Sequence, residues 1–184
     1  MRNRAHDFRS YSFKSSDKVL VDANIWLYLF PAPMSSQASF AVQYSNGFSR
    51  MIREGAQPVL DPIILSEYVN RYCRIEWQGQ YSTTYPDFKS FRNSPDYQEV
   101  AAAVSVFAKR IIGMCAVHST PVSSLDIVQA IRDFESAMID FNDALMADVC
   151  RKHVFKLLTN DSDFQSGGIE VLTTHPRLLQ ACSA

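Results

Sequence analysis

Short apolar runs punctuate the chain: KVLV at 18–21, PVL at 58–60, FKLLT at 155–159 and IEVLT at 169–173, with CAVHS at 115–119 a candidate fifth. Each has the length and β-branched content of a buried strand. The stretches between them carry helical signals. Asp61 followed by Pro62 sets a capping acid before a proline at the first helical position. Asn24 is expected to cap a helix stopped by Pro31 and Pro33. Further helices are expected at about 36–54, 61–77, 95–114, 123–137 and 142–153, with a short one closing the chain. Strands alternating with helices pair in parallel, because each crossover returns over one face of the sheet. The expected fold is therefore α/β, a three-layer α/β/α sandwich around a central, mostly parallel sheet of four to five strands.

Two stretches lack such patterning. Residues 1–17, polar and mixed, are expected to be a loosely held N-terminal arm, leaving 18–184 as a single domain. Residues 79–97, with two prolines and several aromatic residues, are expected to be an ordered loop or lid inserted in that domain. No segment approaches the length of a membrane span. The four cysteines stand far apart, without zinc-ligand or redox spacing, and fit reduced thiols of a cytoplasmic protein. The net charge of −1 gives no global basic field of the kind many nucleic-acid binders carry.

Chemistry is carried by acids. Asp22 ends the first run where a strand becomes a helix; it could be an N-cap, or a carboxylate at the strand end, where open parallel sheets bind ligands. Glu67 borders an apolar helix face, with Arg71 four residues on as a possible partner. Asp143 opens a helix, where an acid also suits the helix dipole, and Asp140 and Asp148 are its neighbours, the latter expected to be a solvated surface acid. Asp161 and Asp163 follow the strand ending in Thr159, in a stretch that also suits an Asx turn. Acids so far apart in sequence meet only through a fold. Two carboxylates at about 4 Å repel by roughly 4 kcal/mol at an effective dielectric near 20, so a cluster of them needs protons or a cation. Oxygen donors alone favour Mg²⁺ or Mn²⁺.

The stretches LVDAN, LSEYVN, FNDALMADV and LLTNDSDF, in this order, resemble the motifs of the PIN-domain nucleases over residues 18 to 173. The resemblance implies that Asp22, Glu67, Asp143 and Asp161 are the catalytic acids and bind one or two Mg²⁺ or Mn²⁺ ions. Asn24, Thr159 and Asp163 would orient them. The reaction implied is hydrolysis of an RNA phosphodiester by metal-activated water, leaving 5′-phosphate and 3′-hydroxyl ends. Compact length points to the VapC-like toxin branch, whose members are commonly dimers silenced by a small antitoxin. The alternatives are a PIN nuclease of RNA processing outside a toxin system, or a non-catalytic PIN-like scaffold that binds RNA or protein.

Contacts to RNA are sought near the acids. Arg71 and Arg74 share a helix face with Glu67 and are candidates for a phosphate. Tyr81, Tyr85 and Phe88 could stack on bases, or pack against their own domain. The helix IWLYLF, apolar all round, is expected to be deeply buried or to offer a groove to a second copy or an antitoxin.

Overall fold

The computed structural model describes residues 1–35, 38–136 and 139–182. Along the chain run β1 (Arg4–Asp7), β2 (Lys18–Val21), α1 (Ala23–Leu29), α2 (Ala38–Arg53), β3 (Gln57–Leu60), α3 (Pro62–Glu76), α4 (Phe88–Arg92) and α5 (Pro95–Met114). There follow β4 (Ala116–Val117), α6 (Ile127–Glu135), α7 (Phe141–His153), β5 (Lys156–Leu158), β6 (Glu170–Thr173) and α8 (Pro176–Ala181). Among the described residues the six strands make one sheet in the order β1-β6-β5-β2-β3-β4, with every neighbouring pair parallel. Helices flank it, giving the expected α/β/α sandwich with one strand more than expected. The chain leaves β2 towards β3 and β4, then returns to the other side of β2 for β5 and β6. The switch point therefore lies between β2 and β5, where the crevice of an open parallel sheet forms.

The extra strand is β1. Residues 1–17 are no loose arm: Arg4–Asp7 pairs along β6, and Phe8 and Phe13 just beyond it are buried. As an edge strand of sequence RAHD, β1 needs only the small Ala5 inside and shows no apolar run. The segment 79–97 is likewise built rather than looped. Residues Trp77–Tyr81 continue α3 as a π-helical turn, Phe88–Arg92 is α4, and α5 begins at Pro95 with Ser94 as cap. Tyr81, Tyr85 and Phe88 pack around the fully buried Phe91, Tyr81 stacking on it at 4.8 Å between ring centroids. They are spent on their own domain.

Other boundaries move by a residue or two. Asp61 caps α3 as expected, its carboxylate accepting from the Ile63 amide at 2.9 Å. Helix α1 starts at Ala23 with Asp22, not Asn24, at the capping position. The expected starting residues 36 and 37 of α2, and the end of α6 at 137, lie outside the described residues. Residues Ala23–Tyr28 of α1 are buried by the chain itself, so the apolarity of this helix is used internally and offers no groove. Trp26, Tyr44, Tyr68 and Tyr72 are the largest fully buried side chains. Each removes enough apolar area to favour folding by about 4 kcal/mol on area alone. Among the described residues no helix is long and apolar enough to cross a membrane.

Candidate active site

Asp22 stands at the switch point. Its amide still donates to the Leu158 carbonyl, continuing the ladder from β2 to β5, while its carbonyl accepts the first amides of α1. It holds the capping position of α1, yet its carboxylate makes no capping hydrogen bond. The side chain turns to β5 instead. Its Oδ2 accepts from Thr159 Oγ1 at 2.6 Å and from Asn24 Nδ2 at 2.5 Å. Thr159, fully buried just past the end of β5, uses its hydroxyl completely: it donates to Asp22 and accepts from Asn24 and from the Asp161 amide at 3.0 Å. Asn24 Oδ1 in turn accepts from the Asn160 amide at 3.2 Å. One carboxylate is thus fixed by a buried network joining the ends of two adjacent strands.

The remaining acids stand on other elements, Glu67 on α3, Asp143 on α7 and Asp161 in the turn after β5. Asp143 lies in the first turn of α7, half-buried, and accepts no hydrogen bond among the described residues. Burial first, then the carboxylates of Asp22 and Asp161, push its pKa up to about 8. Asp22 is raised to about 6 by burial, against the Thr159 hydrogen bond that favours its charged form, with nearby Glu67 adding to the rise. Glu67 thus lies close enough to act on Asp22, and Asp22, Asp161 and Glu67 close enough to act on Asp143. Glu67 is held by Arg71 Nη1 at 3.2 Å, the i, i+4 pairing that its spacing allowed. Asp161 also makes an Asx turn, its Oδ1 accepting from the Asp163 amide at 2.9 Å.

Not every candidate converges. Asp163 is exposed, and among the described residues its carboxylate meets the Ser162 hydroxyl alone, at 3.4 Å. Asp148, expected in solvent, is buried: five residues past Asp143 it faces α6, where it accepts from the Asp126 amide and pairs with Arg151 and Lys152. Asp140 caps α7 through the Asn142 amide at 3.0 Å. Arg71 and Arg74 line a cleft of about 500 Å³ with Glu67 and Asn142, but Arg74 also lies over the Phe88 ring, 4.5 Å from its centroid.

Three contributors had no sequence signal of their own. Asn160 donates to Tyr28 Oη at 3.1 Å and accepts from Tyr44 Oη at 2.8 Å, and Tyr44 Oη also accepts from the Thr174 amide. This clamp fixes the turn that carries Asp161. Asn160 stands beside a candidate acid, but Tyr28 and Tyr44 read as ordinary core aromatics.

The donor set suits a hard divalent cation. All four acids offer oxygen, and Asp143 carries an uncompensated charge when ionised. Among the described residues no three Asp, Glu, His or Cys side chains enclose a metal position directly.

A family model described as PIN domain matches residues 19–169. The crystal structure of PAE2754 from Pyrobaculum aerophilum has a TM-score of 0.51 at 17% identity, over 90% of this chain and 95% of that one. At such identity the likeness concerns the fold. No curated protein matches the chain.

Proposed function

The chain belongs to the PIN-domain family and carries its nuclease-type fold, and from that premise we propose that it is a Mg²⁺- or Mn²⁺-dependent endoribonuclease. The observation that carries this reading is the Asp22 carboxylate, withheld from capping its own helix and fixed by Thr159 and Asn24 beside three other acids. A purely structural aspartate at a strand–helix junction would cap.

Asp22, Glu67, Asp143 and Asp161 would hold the cation. When bound, a divalent ion supplies Lewis-acid polarisation of a phosphoryl oxygen and acidifies water. The protein supplies position. Thr159 and Asn24 both donate to Asp22 Oδ2 and so fix the carboxylate. The Asn160 clamp holds the turn that carries Asp161, whose own Oδ1 accepts from the Asp163 amide. Arg71 and Arg74, on the cleft wall beside Glu67, would neutralise a phosphate entering there.

Cleavage of a mixed set of RNAs by wild type and Asp22→Ala, with Mn²⁺, Mg²⁺ or EDTA, tests this. Cutting by wild type alone, abolished by EDTA, supports the reading. Absence of cutting together with absence of metal affinity by calorimetry would favour the scaffold reading instead. Within the ribonuclease reading, the finer proposal is a VapC-like toxin held by a small antitoxin, working as a homodimer in the cytoplasm. The order of motifs and the free state of Cys73, Cys115, Cys150 and Cys182 support it. Helix α1 does not, so a partner would use other apolar groups such as the exposed Val128, Ile131 and Phe134 of α6. Growth arrest on expression of wild type but not of Asp22→Ala distinguishes a toxin from an RNA-processing nuclease.

A further inference from the structure

A second polar cleft, of about 540 Å³, opens between the end of β1 and the outer side of α2, lined by Arg9, Gln43, Asn46, Ser49, Arg50 and Arg53. Three guanidinium groups meet amide and hydroxyl groups there, and no acid is among the lining residues. The cleft is pre-organised. Arg9 is fixed by a two-pronged pairing with Asp7, at 2.7 to 3.1 Å, while its side chain stays 57% exposed. Arg50 donates to the carbonyl oxygens of Phe8 and Arg9, tying the segment after β1 to α2. Phe8 packs directly on Gly47, where a Cβ would fall 2.2 Å from the ring. Arg53 is exposed and makes no ion pair among the described residues.

The position of this cleft follows from the sheet order. Arg9 lies two residues past the carboxyl end of β1, and Tyr44 of α2 reaches Asn160 and Thr174 past the ends of β5 and β6. The Arg9 end of the cleft therefore lies on the same carboxyl-end side as the acids, while α2 runs from there towards the start of β3 and carries Arg53 towards the amino end of the sheet. The strand that Asp22 ends lies three places from β1, about 14 Å across the sheet at roughly 4.8 Å per strand. Arg71 and Arg74 lie on the other flank, since α3 follows β3. Basic groups thus bracket the acids within a chain of nearly zero net charge.

We propose that the Arg9–Arg50–Arg53 cleft is a phosphate-binding subsite for the RNA strand, engaging the backbone a few nucleotides from the cleavage position. The proposal rests on the ribonuclease reading. Guanidinium forks match phosphate oxygens in pairs: Arg53 brings a fork unpaired among the described residues, and Arg9, whose Nε and Nη2 are taken by Asp7, keeps Nη1 for a phosphate oxygen, held in place by that pairing.

The test is binding of labelled single-stranded RNA, from dinucleotide to dodecamer, followed by anisotropy in EDTA across a salt series. Wild type is compared with Arg53→Ala, Arg9→Ala/Arg53→Ala and Arg71→Ala/Arg74→Ala. For the dodecamer, the Arg9/Arg53 pair should weaken binding roughly tenfold and lower the salt slope by about 0.7 for each phosphate that is no longer neutralised. Dinucleotide binding should not change. Arg53→Ala alone carries the test if the Arg9 variant melts early, because Arg53 bridges nothing. An unchanged dodecamer affinity and slope, with wild type binding and Arg71→Ala/Arg74→Ala impaired, overturns the subsite and leaves the ribonuclease reading standing. Wild type that binds no RNA at any salt overturns both.

Discussion

Thr159 shows how much one buried hydroxyl can carry. It bonds Asp22, Asn24 and the Asp161 amide together, so Thr159→Val takes one bond from each: buried Asp22 and Asn24 keep only each other there, and the Asp161 amide is left without its partner. Stability should fall by about 1–3 kcal/mol. RNA cleavage should drop roughly 10- to 100-fold, as when groups that orient ligands are lost. Thr159→Ser should restore most of both, and cleavage equal to wild type in the valine variant would remove Thr159 from the site. Asp143 adds a dependence on pH. Its folded pKa of about 8 lies above the ordinary carboxylate value, so the folded chain holds that proton more tightly than the unfolded chain. The resulting stability is complete below about pH 4 and is lost as pH rises through about 8. The lowered histidines, His6 and His153, act in the opposite sense but finish by about pH 6.5. Between pH 6.5 and 8.5, metal-free wild type should therefore lose a few degrees in Tm relative to Asp143→Asn, which cannot ionise there. Parallel melting curves for the two proteins would show that Asp143 does not carry this charge.

At the scale of elements, legibility followed capping and periodicity. Helix α3 announces itself through Asp61-Pro62, where side chain and proline agree on a start; α5 starts in the same way at Ser94-Pro95, inside the stretch expected to be a loop. β2, β3, β5 and β6 read as apolar runs because both of their faces are covered. β1 escaped because an edge strand of four residues has little to bury, and the 77–92 segment escaped because its short turns are held by aromatic packing rather than by a repeating face. The four acids were legible as single residues. Asn24 and Thr159 could be named as their orienting residues through the resemblance alone, since the contact of Asp22 with Thr159 spans 137 positions, and the clamp of Tyr44 on Asn160, spanning 116, was not legible at all. The junction of α2 with the segment after β1 depends on one missing methyl group. In Gly47→Ala the new Cβ would meet the ring of Phe8, which is fully buried between Tyr44 and Phe13 and has no room to turn away. A destabilisation of about 1–3 kcal/mol is expected by chemical denaturation. Phe8→Leu in the same chain should cost less on top of Gly47→Ala than it does alone, because each change relieves the other; strict additivity would mean that the ring yields elsewhere.

Over the whole molecule, the alternation of strands and helices dictates a parallel sheet but not the order in which its strands are laid down. Nothing local tells the chain to go from β2 to β3 and β4 and then cross back to place β5 beside β2. That crossing creates the crevice, because it sets the ends of β2 and β5 side by side with no connection over them. It also leaves β6 with one side to cover, and the N-terminal strand β1 covers it. Removing residues 1–8 would strip that cover and empty the place of Phe8 among Tyr44, Phe13 and Gly47. Loss of one buried phenyl group alone costs about 3–5 kcal/mol. A bared β6 also presents unpaired amides and carbonyls along its length, which invite pairing with another chain. The truncated protein should therefore melt well below the full chain and shift to higher oligomers in light scattering as concentration rises. The site should respond too, because Tyr44, which packs on Phe8, also holds Asn160 and with it the turn bearing Asp161. A truncated chain with the Tm, mass and cleavage rate of the full one would mean that β1 is an ornament of the sheet and that the Tyr44 clamp stands without it.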